Sequence, residues 1–347
     1  MALRRSGASG SKPLCGGSQA RIGSAAASGI REQHMGMLIE GRWQDVDRTA
    51  RKGAFVRRDS AFRRFVTADG GSGFRAEPGR YHLYVSLACP WASRAVIVRA
   101  LKRLEPVVGM TVVSPDMLEN GWAFEGGPDP LTGTRFLYEV YTAADPNHTG
   151  PATVPVLWDT QERTVVNNES SEIMRMLNRA FDAWGDAGLD LYPAPLAAEI
   201  DRLNDRIYGT VNNGVYKAGF ATTQDAYDEA VTPLFAVLDE LDERLATRRF
   251  LTGPALTEAD IRLFTTAVRF DLVYYGHFKC NLRQIRDYPN LEGWLGDMYQ
   301  WPGITATVDL AQIKRHYYGS QRWVNPTGIV PLGPTLDLTA PHGREGI

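Results

Sequence analysis

The chain has 347 residues, enough for two domains, and its 44% hydrophobic and 22% charged residues are typical of a soluble globular protein. Its net charge of -2 gives no support for nucleic-acid binding or electrostatic membrane attachment, and no apolar run approaches the length that spans a bilayer. The three cysteines, Cys15, Cys89 and Cys280, suggest neither a disulfide framework nor a metal site, so we expect a reducing compartment and a cytoplasmic protein.

Residues 1–36 have the composition of a disordered tail or of an organellar transit peptide. The stretch from Met1 to Ile30 is rich in Ala, Gly, Ser and Arg and contains no acidic residue. Met35 or Met37 is an alternative start of the mature chain. We therefore expect these residues to be disordered, with an organellar location as the alternative to a cytoplasmic one.

An arm, residues 41–79, opens a first domain that we place at residues 37–182. Its basic residues alternate with aromatic ones; they are Arg57, Arg58, Arg63 and Arg64, among Phe55, Phe62 and Phe65. This pattern could mark a nucleic-acid site. Neighbouring acids such as Asp59 and the overall charge favour a solvated, partly packed arm.

The next segment predicts a strand, a tight turn and a helix. Residues 81–86 alternate as in a strand, and apolar residues recur at helical spacing up to Leu101. Pro90 suits the first helical position, which puts Cys89 at the N-cap. There the unpaired N–H groups and the helix dipole favour a thiolate, so we predict a nucleophilic Cys89 with a lowered pKa. Ala92 takes the place of a second redox cysteine, so the partner thiol must come from a ligand.

A buried strand at residues 107–113 and a hairpin at residues 153–166 follow, separated by residues 114–150, which predict a long loop. Trp122 lies in that loop, where an isolated Trp is either packing or a ligand contact. Pro155 interrupts the first strand of the hairpin and is a candidate for a cis peptide bond.

The polar cluster of residues 167–172 precedes a helical pattern. Plain helix capping and ligand binding both explain it. In the second interpretation the exposed N–H groups and Ser170 bind a ligand carboxylate, while Glu169 binds its ammonium group.

The second half predicts an all-helical domain at residues 196–320 after a linker at residues 183–195 and before an extended tail at residues 321–347. A helix over residues 224–245 is expected to break near Pro233. Thr257 and Asp260 form a capping box at the start of another helix.

Taken together, these features resemble the cysteine-type glutathione transferases, and most closely the glutathionyl-hydroquinone reductases of the Xi class. The matching stretches are residues 83–92, Gly121-Trp122, residues 153–159, Asn168-Glu169-Ser170, residues 215–221, Arg269-Phe270-Asp271 with Tyr274, residues 277–280 and residues 314–318. The resemblance implies a thioredoxin-like α/β N-terminal domain followed by an all-α C-terminal domain, the glutathione transferase fold. It also implies a homodimer.

The resemblance implies reduction of a glutathionyl-hydroquinone by glutathione, the co-substrate. Cys89 would form a mixed disulfide with the glutathionyl sulfur, and a second glutathione would release glutathione disulfide. Tyr216 would transfer the proton, while Tyr274 and Tyr317 would hydrogen-bond the thiolate.

The same resemblance implies the glutathione-binding residues. Trp122 would stack on glutathione, the Thr153-Val154 backbone beside the cis Pro155 would pair with its cysteinyl part, and Glu169 and Ser170 would bind its γ-glutamyl end.

Two departures and two alternatives accompany this interpretation. Ser93 replaces a histidine common in relatives, and Gly150-Pro151-Ala152 replaces a stretch where some relatives have a basic residue. One alternative is an Omega-like thioltransferase or dehydroascorbate reductase, and the other is a glutathione-binding module without turnover.

Overall fold

A computed structural model describes residues 34–47 and 53–347 of the protein. Most of the predicted disordered tail, with Cys15, lies outside the described residues. The boundary at residue 36 is wrong, because a strand already begins at His34. Within the described residues, no helix combines the length and apolarity needed to cross a membrane. The homodimer and the cellular location stay predictions.

The elements of the first half are β1 His34–Ile39, β2 Arg42–Asp47, β3 Val66–Thr67, β4 Phe74–Arg75, β5 Tyr81–Val85, α1 Pro90–Leu101, β6 Gly109–Val112, α2 Leu137–Ala144, β7 Val156–Asp159, β8 Thr164–Asn167 and α3 Ser170–Arg179. Those of the second half are α4 Ala197–Ile207, α5 Gly214–Gly219, α6 Gln224–Leu245, α7 Glu258–Arg269, α8 Pro289–Gln300 and α9 Leu310–Ser320. Turns of π-helix at Tyr208–Asn212 and Phe270–Tyr274 extend α4 and α7.

The central sheet has the strand order β6-β5-β7-β8. Strand β5 is parallel to β6, which requires the α1 crossover, and antiparallel to β7, which forms a hairpin with β8. The predicted fold class is confirmed. The first half contains this four-stranded sheet with the helices α1 and α3, and the second half is all-helical. Because β5 lies in the middle of the sheet, the turn that follows it is fixed on both sides.

Two predictions about helices are wrong. The loop of residues 114–150 contains α2, whose Leu137, Val140 and Tyr141 are buried and whose start is capped by the Glu139 carboxylate at the N–H of Phe136, 2.9 Å away. Helix α6 runs through Pro233 without a break. It packs against α5 and α8, and this tertiary packing offsets the hydrogen bond that the proline cannot donate.

The capping box at the start of α7 is confirmed. Thr257 Oγ1 and the Thr257 N–H both donate to Asp260 Oδ2 at 3.1 Å, and both residues are buried. The exposed Thr223 caps α6 through a longer bond, 3.3 Å from the N–H of Ala226. The buried threonine hydroxyl thus donates to a carboxylate at the start of α7, whereas the exposed one accepts from a backbone N–H at the start of α6.

We expect Thr257→Ala to lower the free energy of unfolding by about 1–2 kcal/mol, because a buried hydroxyl partner of Asp260 is lost. Thr223→Ala should cost less, because water replaces the exposed cap. Urea denaturation of both variants measures the difference. Equal losses would show that burial does not strengthen the cap at α7.

Candidate active site

The site is built around Cys89, the N-cap of α1. The residue is half-buried, Pro90 occupies the first helical position, and the sulfur lies 3.6 Å from the Val154 carbonyl oxygen. Burial raises the pKa of the Cys89 thiol, while the N–H groups of Ala92 and Trp91 and the charges of Arg269 and Arg57 act to lower it. The prediction of a lowered pKa considered only the helix terminus and neglected burial, which is the larger effect here.

Arg269, from the last turn of α7, fixes the turn that carries Cys89. Its buried guanidinium donates to the carbonyl oxygens of Leu87 and Ala88, both at 2.9 Å, and to Ser93 Oγ at 2.7 Å. Ser93 Oγ in turn donates to the Cys89 carbonyl oxygen at 3.0 Å. Ser93 is therefore a structural link between Arg269 and the turn that carries Cys89.

The peptide bond between Val154 and Pro155 is cis, which confirms the prediction. The last residue pair between β5 and β7 is Tyr84 with Val156, so Val154 lies just beyond the hydrogen-bonded ladder. The carbonyl oxygen of Thr153 accepts from the Tyr141 hydroxyl at 2.8 Å. The backbone beside the sulfur is thus an open end of the sheet, suitable for an added peptide strand.

Three phenols form one hydrogen-bonded cluster in the helical half. The Tyr317 hydroxyl lies 2.5 Å from that of Tyr216 and 2.9 Å from that of Tyr274. Burial raises the pKa of each of the three, and the negative charge of a Cys89 thiolate raises that of Tyr216 further. All three side chains therefore keep their protons at neutral pH.

The phenols differ from the prediction in one respect. The resemblance implied hydrogen bonds from Tyr274 and Tyr317 to the Cys89 sulfur, but their hydroxyls bond within the cluster, and the sulfur contacts Val154 O. Tyr216 nevertheless lies near Cys89, because its ring stacks on that of Trp91, two residues further along α1, with centroids 6.3 Å apart.

Trp122 is buried beside the cluster. Its ring stacks on His316, with centroids 4.9 Å apart and 19° between the planes, and His316 precedes Tyr317 on α9. His316 Nδ1 is 2.8 Å from the Pro115 carbonyl oxygen. One face of the Trp122 indole is therefore occupied by an imidazole, and a ligand could stack only on the remaining face.

Glu169 caps α3 and is turned toward the arm. Its carboxylate accepts from the Ser171 N–H at 3.1 Å and from the hydroxyls of Ser171 and Ser60 at 2.9 and 3.0 Å. Burial opposes ionisation, but these hydrogen bonds and the charge of Arg94 hold the pKa of Glu169 below its ordinary value. Both capping and a negative charge suited to a ligand ammonium are thus present at one position.

Ser170, the first residue of α3, is buried and connects to a second arginine. Arg94 Nη1 lies 3.4 Å from Ser170 Oγ, and Nη2 donates to Asn212 Oδ1 at 2.7 Å. The guanidinium also covers the Trp91 ring at 4.6 Å. Arg94 therefore links the start of α3 to the helical half.

Sequence reasoning missed the part that the arm plays. We call residues 53–65 the arm segment. Near its start, the Gly53 carbonyl oxygen accepts from the Thr222 N–H at 3.0 Å. Near its end, Arg63 forms an antiparallel bridge with Asn167. Arg57 and Ser60 lie between these anchors. The arginine-aromatic pattern was the available signal, but it points to no particular contact.

Among the described side chains, no group of three or more His, Cys, Asp or Glu is placed to hold a metal ion. The arrangement instead brings together one thiol, an open strand end, a carboxylate at a helix start and three protonated phenols. These groups suit thiol exchange on a peptide-like ligand that carries an aromatic group.

Known proteins share this architecture. Two family models match: glutathione S-transferase, N-terminal domain, over residues 88–180, and glutathione S-transferase, C-terminal domain, over residues 224–297. The glutathionyl-hydroquinone reductase YqjG of Escherichia coli (strain K12) is 54% identical over 90% of this chain and 99% of that protein. The glutathionyl-hydroquinone reductase PcpF of Sphingobium chlorophenolicum is 54% identical over 88% of this chain and 98% of that protein.

A solved structure is similar over the same region. It is the glutathione-bound structure of YqjG, called a glutathione transferase homolog from Escherichia coli K-12, with a TM-score of 0.80 and 55% identity. The match covers 82% of this chain and 96% of that one.

His316 supplies a pH-dependent test of the site. Burial lowers its pKa to about 4, so the folded protein holds it neutral while the unfolded chain binds a proton below about pH 6.5. Its contribution to stability is therefore present at neutral pH and is lost as pH falls from about 6.5 toward 4. Between pH 7 and pH 5 we expect a loss of about 2 kcal/mol from this residue.

Comparison with His316→Asn isolates the effect, because the Asn amide can still donate to Pro115. Urea denaturation at pH 7 and pH 5 gives the free energy of unfolding at each pH. Its decrease from pH 7 to pH 5 should be smaller in the variant than in the wild type by about 2 kcal/mol. Identical losses would mean that His316 is not buried as a neutral imidazole.

Proposed function

The chain belongs to the Xi class of glutathione transferases, the family of the glutathionyl-hydroquinone reductases, and we propose that it reduces glutathionyl-hydroquinones to hydroquinones with glutathione as co-substrate. The observation that carries the proposal is a thiol at a helix N-cap, opposite a cluster of protonated phenols, in a chain 54% identical to two such reductases. The similar solved structure of YqjG is bound to glutathione, which supports glutathione as the co-substrate here.

In the first step the Cys89 thiolate attacks the glutathionyl sulfur. The bond between that sulfur and the ring carbon breaks, a disulfide forms between Cys89 and glutathione, and the electron pair returns to the ring carbon. A carbon leaving group is poor unless it takes a proton. Tyr216 is suited to donate that proton because its raised pKa keeps it protonated and it lies near Cys89.

In the second step a second glutathione attacks the mixed disulfide. Its thiolate bonds to the glutathionyl sulfur, glutathione disulfide leaves, and the Cys89 thiolate is restored. The proton that the second glutathione thiol loses restores the Tyr216 phenol, whose hydroxyl is hydrogen-bonded to that of Tyr317. The protein is thus returned to its starting state without a metal or a second protein thiol.

Glutathione would bind across the open end of the sheet. Its cysteinyl backbone would pair with Val154, its γ-glutamyl ammonium would contact Glu169, and its γ-glutamyl carboxylate would contact Ser170 at the start of α3. The lowered pKa of Glu169 supports an ion pair with the ammonium group. Trp122 would bound the same cleft through the face that His316 leaves open.

We expect a glutathione adduct on Cys89 when the protein is mixed with one equivalent of a glutathionyl-hydroquinone and no free glutathione. Mass spectrometry of peptides should find the adduct in the wild-type protein and in Cys280→Ala, because the Cys280 side chain is fully buried and burial raises its pKa. Cys89→Ser should form no adduct and should lose turnover. Full turnover by Cys89→Ser would show that a different residue is the nucleophile, whereas a wild-type protein without adduct or turnover would favour the binding-module alternative.

Tyr216→Phe tests the role of Tyr216 as proton donor separately from the role of Cys89 as nucleophile. We expect kcat to fall about 100-fold or more with a glutathionyl-hydroquinone, because the carbon leaving group loses its acid. With a small glutathione mixed disulfide the loss should be slight, since a thiolate leaves without protonation.

Tyr227→Phe is the matched control, because its hydroxyl donates to the Lys279 carbonyl oxygen outside the site. Equal losses of Tyr216→Phe on both substrates would contradict the acid role. Turnover of the mixed disulfide alone by the wild-type protein would favour the Omega-like thioltransferase.

A further inference from the structure

The arm segment brings a cation into the active site. The half-buried Arg57 extends its guanidinium over two ring systems, 4.5 Å from the Trp91 ring centroid and 5.0 Å from that of Tyr216. Its Nε donates to Asn213 Oδ1 at 2.7 Å, and Asn213 is buried. The side chain is therefore fixed from three sides, by the indole, the phenol and the amide.

Trp91 and Tyr216, the two rings that Arg57 contacts, both lie in the active site described above. Trp91 is the second residue of α1, two positions after Cys89, and Tyr216 is the phenol opposite the thiol. A guanidinium over the face of an indole or a phenol is attracted by the ring quadrupole, and its planar shape stacks well there. Arg57 thus contacts Tyr216 directly and contacts Trp91, two residues after Cys89.

Charged and titratable groups from three elements act on Cys89 or respond to it. Arg57 from the arm segment and Arg269 from α7 are cations that act on the thiol, and Tyr216 from α5 responds to the charge of the thiolate. Arg269 is committed to the carbonyl groups of the turn. Arg57 has no carboxylate partner within hydrogen-bonding distance in the described part of the chain. Its positive charge is therefore not neutralised by an ion pair there.

We propose that Arg57 is a positioning residue of this active site, which stabilises the negatively charged sulfur of Cys89 and fixes the orientation of Tyr216 through its stacked guanidinium. The contacts with Trp91, Tyr216 and Asn213 carry the proposal. The charge of Arg57 also lowers the pKa of both Cys89 and Tyr216, against the effect of burial. The part concerning Tyr216 rests on the proposed function, whereas the part concerning the sulfur does not.

The test measures the pH dependence of Cys89 alkylation by iodoacetamide, followed by peptide mass spectrometry. Arg57→Gln keeps a donor for Asn213 but removes the charge, so its midpoint should lie about one pH unit above that of the wild type, with alkylation about tenfold slower at pH 7. Arg57→Lys keeps the charge and should stay near the wild-type midpoint. With a glutathionyl-hydroquinone, Arg57→Lys should still lose part of kcat, because an ammonium group does not stack flat on Trp91.

Arg58→Gln is the control, because Arg58 is exposed and donates to Met37 Sδ at 3.8 Å. Circular dichroism verifies folding, and Arg57→Met serves as a second uncharged variant. A wild-type midpoint in the folded uncharged variants would overturn the proposal, as would equal shifts in Arg57→Gln and Arg57→Lys. Alkylation of Cys89 needs no hydroquinone. The alkylation midpoints therefore test the role of Arg57 at the sulfur even if the protein fails to reduce glutathionyl-hydroquinones.

Discussion

The geometry of the site depends on the buried guanidinium of Arg269. It donates to three acceptors around the Cys-Pro turn, the carbonyl oxygens of Leu87 and Ala88 and the hydroxyl of Ser93, and to the Thr265 carbonyl oxygen of its own helix. Hydrogen bonds from a charged donor contribute about 1.5–3 kcal/mol each, and a buried carbonyl left without one is costly. With the carbonyl groups of the turn directed at Arg269, the first N–H groups of α1 remain directed at the sulfur. The helical half therefore determines the shape of a turn in the α/β half.

This arrangement makes the site a product of three chain segments. The α/β half supplies the sulfur and the open strand end, the helical half supplies the phenols and Arg269, and the arm segment supplies Arg57 and the hydroxyl of Ser60. Neither half alone contains a nucleophile with an acid opposite it. A change in how the halves pack would therefore alter the chemistry even if every residue were retained.

The features that the sequence predicted are local in the chain. The Cys89 N-cap, the capping box of α7 and the cis bond at Pro155 each depend on residues within a few positions, so composition and spacing are sufficient. Helix α2 was missed because Gly, Pro and Asp around it predict a loop, although Leu137, Val140 and Tyr141 have helical spacing. The break at Pro233 was predicted from a rule that tertiary packing overrides.

The contacts that sequence reasoning could not supply are long-range. Arg269 and Ala88 are 181 residues apart, and Arg57 and Asn213 are 156 apart, so no pattern in either stretch reveals the partner. The family resemblance named residues but not their contacts, and it left out Arg57 altogether. Residues that act by orienting others carry no motif of their own, because many side chains could make such contacts in another setting.

One physical conflict runs through the site, and the placement of cations acts against it. The reaction needs a protonated phenol and an ionised thiol within the same buried space, yet burial favours the neutral form of both. Burial alone therefore serves Tyr216, Tyr274 and Tyr317 and opposes Cys89. The N–H groups at the start of α1 act on the sulfur, and Arg269 and Arg57 add positive charge on either side of it. Burial outweighs these charges at the tyrosines, which therefore stay protonated. Burial also raises the pKa of the Cys89 thiol, so its ionisation depends on the N–H groups at the start of α1 and on both cations, all of which act against burial.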